Sequence, residues 1–290
     1  KNKIKIIDSL KINNIKSQEF IDLENNNILK KILKERFELL DENKIDFQEL
    51  DARNYHDLHQ CFNDYKPDVV IQLAAISHAN KSNKDPHSTF DHSLRTLENA
   101  LDASKNRSVE HFIYFSSSMV YGNFIKQDID EDTVCNPLGI YGTLKYAGEK
   151  IVKAYKDVFN LDFTIIRPSA LYGERCVSRR VTQLFLENIF SKNEITVHGD
   201  GNEKLDFTYI DDLCQGVIKI IENQNSKNQI FNITYGQGRS ITELTKILKT
   251  TFPSLKIQYK ERDKLMPTRG SLSIEKAKKL LDYQPHFRLE

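Results

Sequence analysis

The sequence predicts an α/β fold: a mostly parallel, doubly wound sheet followed by a smaller lobe. Two observations carry this expectation. Up to Pro168, short apolar runs alternate with longer segments of helical period, the rhythm of a parallel sheet covered by helices. Beyond Pro168 that rhythm loosens without a linker, repeat or low-complexity tract, as in a lobe packed against the first domain.

Taken in order, Lys3–Ile7 reads as the first visible strand, closed by Asp8. Asn27–Leu40 reads as a helical surface insertion. Ile45–Leu50, Asp68–Leu73, His111–Phe115 and Asp162–Ile166 read as further strands, short and apolar. Tyr55–Asn63, Thr89–Ala103 and Tyr141–Phe159 carry apolar residues at helical spacing between them. After Pro168 come a helix at Val181–Phe190 and short strands near Thr196 and Phe207. Helices at Asp211–Glu222 and Thr242–Thr251 follow, then a last helix from Ser273.

Composition narrows the function. The chain has 290 residues, 39% of them hydrophobic, enough for a large core, and no apolar stretch long enough to span a membrane. Forty-two basic residues against 41 acidic ones give a net charge of +1, so no electrostatic footprint for nucleic acid is expected. Cys61, Cys135, Cys176 and Cys214 lie far apart without CxxC spacing, which points to a reducing cytoplasm and away from a disulfide framework or metal cluster. His56, His59 and Cys61 are close together but fall on a predicted helix outside the motifs, and read as surface residues rather than metal ligands.

The chemistry-bearing residues cluster at strand ends. Asp8 stands where a doubly wound sheet places an acid that hydrogen-bonds a cofactor ribose, although a capping aspartate would look the same. Asp68–Ala75 (DVVIQLAA) is an apolar strand ending in Ala74 and Ala75, small enough for a ligand to approach the backbone. Phe115–Gly122 (FSSSMVYG) gathers hydroxyls where a strand leaves the sheet. Tyr141 and Lys145 follow at i and i+4, on one helical face. Tyrosine is a poor base at neutral pH, but a nearby ammonium favours the phenolate, and a serine hydroxyl can hold the substrate oxygen while tyrosine takes its proton.

In this order the motifs resemble those of the extended short-chain dehydrogenase/reductase family, the nucleotide-sugar epimerases and dehydratases. DVVIQLAA, His78–Pro86 (HANKSNKDP), FSSSMVYG, Tyr141–Lys145 (YGTLK), Arg167–Arg175 (RPSALYGER), Gly199–Asp212 (GDGNEKLDFTYIDD) and Arg269–Leu281 (RGSLSIEKAKKLL) carry the resemblance. It implies a Rossmann-like NAD-binding domain over residues 1–172, with residues 206–235 packing back onto it, and a mainly substrate-binding lobe over 173–290. It implies NAD as cofactor, a nucleotide-diphosphate sugar as substrate, and a homodimer. By the same resemblance Ser117, Tyr141 and Lys145 are catalytic. Asp8, Asp51, Ala52, Leu73, Ala74, Ala75 and Pro168 join Tyr141 and Lys145 at the cofactor, and Ser82, Ser118, Arg175, Lys204 and Arg269 face the substrate, Arg269 at its diphosphate.

Departures from the family pattern refine these expectations. The glycine-rich phosphate loop is absent, because the sequence begins at what should be the second strand. Either the protein is a cofactor-free relative or the first strand, central in such sheets, precedes Lys1; the second is preferred. Ser118 and Met119 stand where the dehydratases carry an Asp-Glu pair and the decarboxylases a glutamate, so neither position can supply a carboxyl acid or base. Epimerisation, which needs neither, is the expected reaction. Leu205 replaces a frequent arginine, with Lys204 beside it as a substitute, and Ala170 and His92 replace frequent asparagines. A nucleotide-sugar reductase and a non-catalytic NAD-binding scaffold stand as alternatives.

Overall fold

A computed structural model describes residues 3–290 except 13, 17–26, 78, 127, 179, 263 and 264. His78, at the head of one motif, and Arg179 therefore lie outside the described residues. The chain begins with β1 (Lys5–Asp8), α1 (Asn27–Glu42), β2 (Asp46–Glu49), α2 (Tyr55–Tyr65) and β3 (Val69–Gln72). The short helices α3 (Ala79–Lys84) and α4 (Pro86–Phe90), a π-helical turn (Asp91–Arg95), α5 (Thr96–Asn106) and β4 (His111–Phe115) follow. A 3₁₀ turn (Ser118–Tyr121) and β5 (Asp128–Ile129) lead into α6 (Gly139–Phe159), β6 (Phe163–Arg167) and β7 (Ala170–Tyr172). Then come α7 (Val181–Lys192), β8 (Glu194–His198), β9 (Lys204–Tyr209), α8 (Ile210–Glu222), β10 (Gln229–Asn232) and β11 (Gly238–Ser240). The last elements are α9 (Ile241–Thr251), β12 (Lys256–Lys260), β13 (Ser271–Leu272) and α10 (Glu275–Leu281).

The central sheet is parallel, in the order β10-β6-β4-β3, with Phe112 opposite Phe163 and Val69 opposite His111. Strand pleating sends alternate side chains to opposite faces. Phe112, Tyr114 and Ile165 meet Leu58, Leu101 and Val152 from α2, α5 and α6 on one face. Ile113 and Ile166 meet Leu213, Ile220 and Leu281 from α8 and α10 on the other. A third apolar cluster, including Phe185, Val197, Leu205, Phe207 and Leu244, forms the core of the second lobe. Among the described residues no helix is long and apolar enough to cross a membrane.

β1 and β2 form a parallel pair of their own, and Ile7 of β1 packs on the same cluster as Val70 of β3. Among the described residues neither β1 nor β3 has a second neighbour, and Ile71 and Leu73 at β3 are 40% and 62% exposed.

Some elements differ from their sequence expectation. The helix expected over Thr89–Ala103 is divided by the π turn, where the His92 carbonyl accepts from the Thr96 hydroxyl at 2.8 Å. The last helix begins at Glu275 because Ser273 N–H is drawn to the Ile129 carbonyl beside the β5–β13 pair. β10, which adds to β6, escapes a reading based on local pattern.

α6 lies close over β4, and Gly148 permits the approach. A Cβ there would fall 2.7 Å from Cζ of buried Tyr114 and 3.0 Å from Leu97 Cδ2. Gly148→Ala is expected to lower the unfolding free energy by about 1–3 kcal/mol through overpacking, although alanine is the better helix former. Denaturant titration checks this; a variant more stable than the parent would mean that α6 stands further from the sheet.

Candidate active site

Four consecutive residues leaving β4 are each held by a different partner. The Phe115 carbonyl accepts from Lys145 Nζ at 2.7 Å, and Ser116 Oγ donates to the Glu149 carboxylate. Ser117 Oγ accepts from Met119 N at 3.2 Å, capping the 3₁₀ turn and leaving its own proton free to donate. Ser118 N donates to the Pro168 carbonyl at 2.9 Å, which ties this turn to the end of β6.

The opposite wall is the start of α6. No side chain of its N-cap residue closes that terminus; instead Asn83, from α3, accepts from Ile140 N at 3.1 Å. Gly142 permits close contact with the 3₁₀ turn, since a Cβ there would lie 2.8 Å from the Met119 carbonyl. Tyr141 and Lys145, one turn apart, are buried on the face of α6 that meets the sheet. The Lys145 ammonium stands 5.2 Å from the centre of the Tyr114 ring. Burial lowers its proton affinity to a pKa of about 8, partly opposed by the Glu149 carboxylate.

One turn further along α6, Glu149 is fully enclosed. Its two oxygens accept from Arg167 Nε at 2.9 Å and Nη2 at 2.7 Å, a bidentate pair between α6 and β6. Arg167 Nη1 reaches the Glu131 carbonyl, and its guanidinium lies 4.7 Å from the Tyr121 ring centre. Burial opposes the charge on Arg167, but the Glu149 carboxylate outweighs it and raises the pKa. Sequence reasoning does not single out this pair; a lone glutamate on an amphipathic helix gives no sign of being inside.

The other sequence-derived positions are distributed around this centre. Asp8 is half-buried at the end of β1, accepts from Leu10 N, and has its pKa raised by burial. The Asp51 carboxylate is gripped by Arg53, through Nε at 3.0 Å and Nη2 at 2.7 Å, which holds its pKa well below the usual range. The Ala52 carbonyl accepts from Asn99 Nδ2. Ala74 is exposed beyond β3, its carbonyl accepting from Thr96 Oγ1, and Ala75 is half-buried beside it. Ser82 and Ser118 are buried. A surface hollow of about 420 Å³, lined by residues including Ser9, Lys11, Gln48 and Asp51, opens beside β2, and Ser117, Tyr141 and Lys145 are not among its lining residues.

In the second lobe, Arg175 pairs with Glu35 of α1 at 3.0 Å, and Val177 packs on Leu29 and Leu33 of the same helix. Lys204 is exposed, whereas Leu205 beside it points into the lobe core. Arg269 is half-buried and donates to Glu203 at 3.1 Å. Asp206 is fully buried, and desolvation raises its pKa to about 7 against hydrogen bonds from Leu272 N, Thr234 Oγ1 and Gly236 N. It thereby anchors the strand that follows Arg269.

A doubly wound sheet with these motifs at its strand ends defines a nucleotide-dependent enzyme of the short-chain dehydrogenase/reductase type. The model of the NAD-dependent epimerase/dehydratase family matches residues 21–234, and the chain belongs to that family. It is 29% identical over 227 residues to an uncharacterised UDP-glucose epimerase of Bacillus subtilis, spanning 77% of this chain and 71% of that protein. It is 30% identical over 210 residues to a putative UDP-glucose 4-epimerase of Methanocaldococcus jannaschii, spanning 71% and 68%. Among solved structures, UDP-glucuronic acid 4-epimerase from Bacillus cereus, in complex with UDP-glucuronic acid and NAD, is similar with a TM-score of 0.84. That match has 26% identity and covers 99% of this chain and 87% of the other. The family resemblance, the Rossmann-like fold and the NAD dependence of the family expected from the sequence are thus borne out.

The buried ammonium gives a stability signature. An unfolded chain keeps the Lys145 proton up to the ordinary pKa of 10.5, the folded chain only to about 8, so this group makes folding more favourable as pH rises across that window. Unfolding free energies of the parent and Lys145→Met should therefore converge or cross in the parent's favour between these pH values. A pH-independent difference would mean that the amine is solvated.

Proposed function

We propose that this protein epimerises a nucleotide-diphosphate sugar at C4. The observation that supports the reading is that Lys145 Nζ donates to the Phe115 carbonyl two residues before Ser117, with Tyr141 buried one turn earlier on the same helix, while Met119 stands where the resemblance puts the carboxyl group that dehydration needs. Tyr141 takes the proton of the C4 hydroxyl and returns it to the sugar oxygen afterwards. Ser117, whose lone pair is occupied by Met119 N, donates to that oxygen. Lys145 brings a positive charge to the same buried face of α6. NAD, when bound, supplies the reversible hydride acceptor that this chemistry requires.

The residues present fit the two ends of that cofactor. Asp8, Asp51 and Ala52 would receive its adenosine portion, Leu73, Ala74 and Ala75 offer accessible backbone and small side chains along its path, and Tyr141, Lys145 and Pro168 would flank the nicotinamide end. For the sugar nucleotide, Ser82, Ser118, Arg175, Lys204 and Arg269 would be the contacts, of which Arg269 is the least exposed cation.

Relatives named as UDP-glucose and UDP-glucuronate 4-epimerases support the reading. A dehydratase is the second reading, since a dTDP-D-glucose 4,6-dehydratase of Dictyostelium discoideum is 28% identical over 187 residues, covering 61% of this chain and 43% of that protein. Proton NMR of UDP-glucose, UDP-glucuronate and dTDP-glucose incubated with protein and NAD separates the two: epimers support the proposal, a 4-keto-6-deoxy product the alternative. Tyr141→Phe should cut turnover by about two to four powers of ten, the usual value of a positioned acid–base group, with the fold retained by circular dichroism. Near-parental turnover would remove Tyr141 from the mechanism.

A further inference from the structure

Two arginines share one carboxylate in the second lobe, and a third stands near them. Arg269 Nη2 donates to Glu203 Oε1 at 3.1 Å, and Arg262 Nε lies 3.8 Å from the other oxygen, Oε2. Arg180, preceding α7, donates from Nη2 to the carbonyl of Ser77, a few residues beyond β3, at 2.9 Å. The charges of Arg180 and Arg262 add to burial in lowering the proton affinity of Arg269. The group thus reaches from the second lobe to the carboxyl end of the central sheet, where open α/β sheets bind their ligands.

The cluster is short of negative charge. Among the described residues Glu203 is the only carboxylate paired with Arg262 or Arg269, and no ion pair engages Arg180. The Nε atoms of Arg262 and Arg269 are both buried without a hydrogen-bond partner among the described residues. Buried N–H donors left without an acceptor are costly even where, as for Arg262, the rest of the side chain is partly exposed, and an anion with several oxygens relieves that cost. Three guanidiniums against one carboxylate leave two positive charges, which matches the two phosphoryl groups of a nucleoside diphosphate ester. Position 205 contributes no cation, because Leu205 is turned into the lobe core.

We propose that Arg262 is a substrate-contacting residue, the second guanidinium of a diphosphate site in which it and Arg269 flank Glu203 and Arg180 closes the side toward β3. This rests on the nucleotide-sugar reading above and adds to it a residue that no motif indicates. Arg262 also supports the local backbone, since its Nη2 donates to the carbonyls of Met266 and Pro267, shortly before Arg269. A contact residue and a mere support for Arg269 therefore have to be separated.

A double-mutant cycle read by calorimetry on the 290-residue chain does so, with UDP, UMP and inorganic pyrophosphate as the probes. Arg262→Gln and Arg269→Gln should each weaken UDP binding about ten- to hundredfold, with a smaller effect on UMP, as expected for loss of a charged hydrogen bond. The double variant should be weaker than either, and Arg262→Lys should recover part of the UDP affinity. If the double variant binds UDP as Arg269→Gln does, Arg262 acts only through the backbone it supports before Arg269 and the proposal is overturned. It is equally overturned if Arg262→Gln binds like the parent while Arg269→Gln does not, an outcome that leaves the nucleotide-sugar reading intact. Failure of the parent to bind UDP or pyrophosphate overturns both. Should Arg262→Gln not fold, the cycle is run with Arg262→Lys.

Discussion

The Glu149 carboxylate, held by two parallel bonds from Arg167 and one from Ser116, is the contact on which the candidate site depends. Breaking a buried ion pair from one side leaves a charge without solvent, a cost of about 3–5 kcal/mol, so the three elements that supply the partners are locked together. Those elements are α6, β6 and the exit of β4. Lys145 lies one turn and Tyr141 two turns before Glu149 on α6, so the same contact that docks the helix sets the depth and rotation of both. Gly142 and Gly148 let the helix come near enough for the contact to form.

The electrostatics follow from that arrangement. Lys145 is buried beside a carboxylate already satisfied by Arg167, so Glu149 offsets only part of its desolvation and the ammonium is left weakly held. Arg269 is in a comparable position in the other lobe, with Glu203 as its partial counter-charge. At both places the protein keeps a cation in a setting that solvent cannot fully neutralise.

Much of the fold is legible in the sequence because its signals are local. The strands at His111–Phe115 and Phe163–Arg167 announce themselves by apolar runs, and α6 by its helical period. The spacing of Tyr141 and Lys145 and the serines after β4 are local too, which is why the proposed reaction centre can be read without any geometry. The remainder depends on long-range pairing. Glu149 and Arg167 look like ordinary charged residues until the sheet brings them together, and Arg262 lies outside any helix or strand, with no pattern of its own. Leu205 shows the converse: strand alternation, not its neighbours in a motif, decides that it faces the lobe core.

β10 has a consequence for how the protein is made. Gln229–Asn232 is synthesised after α7, β8, β9 and α8, over a hundred residues after β4, yet it pairs with β6 in the first sheet. Until it emerges from the ribosome, the outer edge of β6 has no partner, and the apolar face that Phe231 completes stays open. The central sheet therefore cannot be completed before the first part of the second lobe has appeared. Nascent chains would pass through a stage in which an unpaired, apolar strand is accessible to chaperones and to aggregation alike. The two lobes are separate in their cores but bound to one order of assembly.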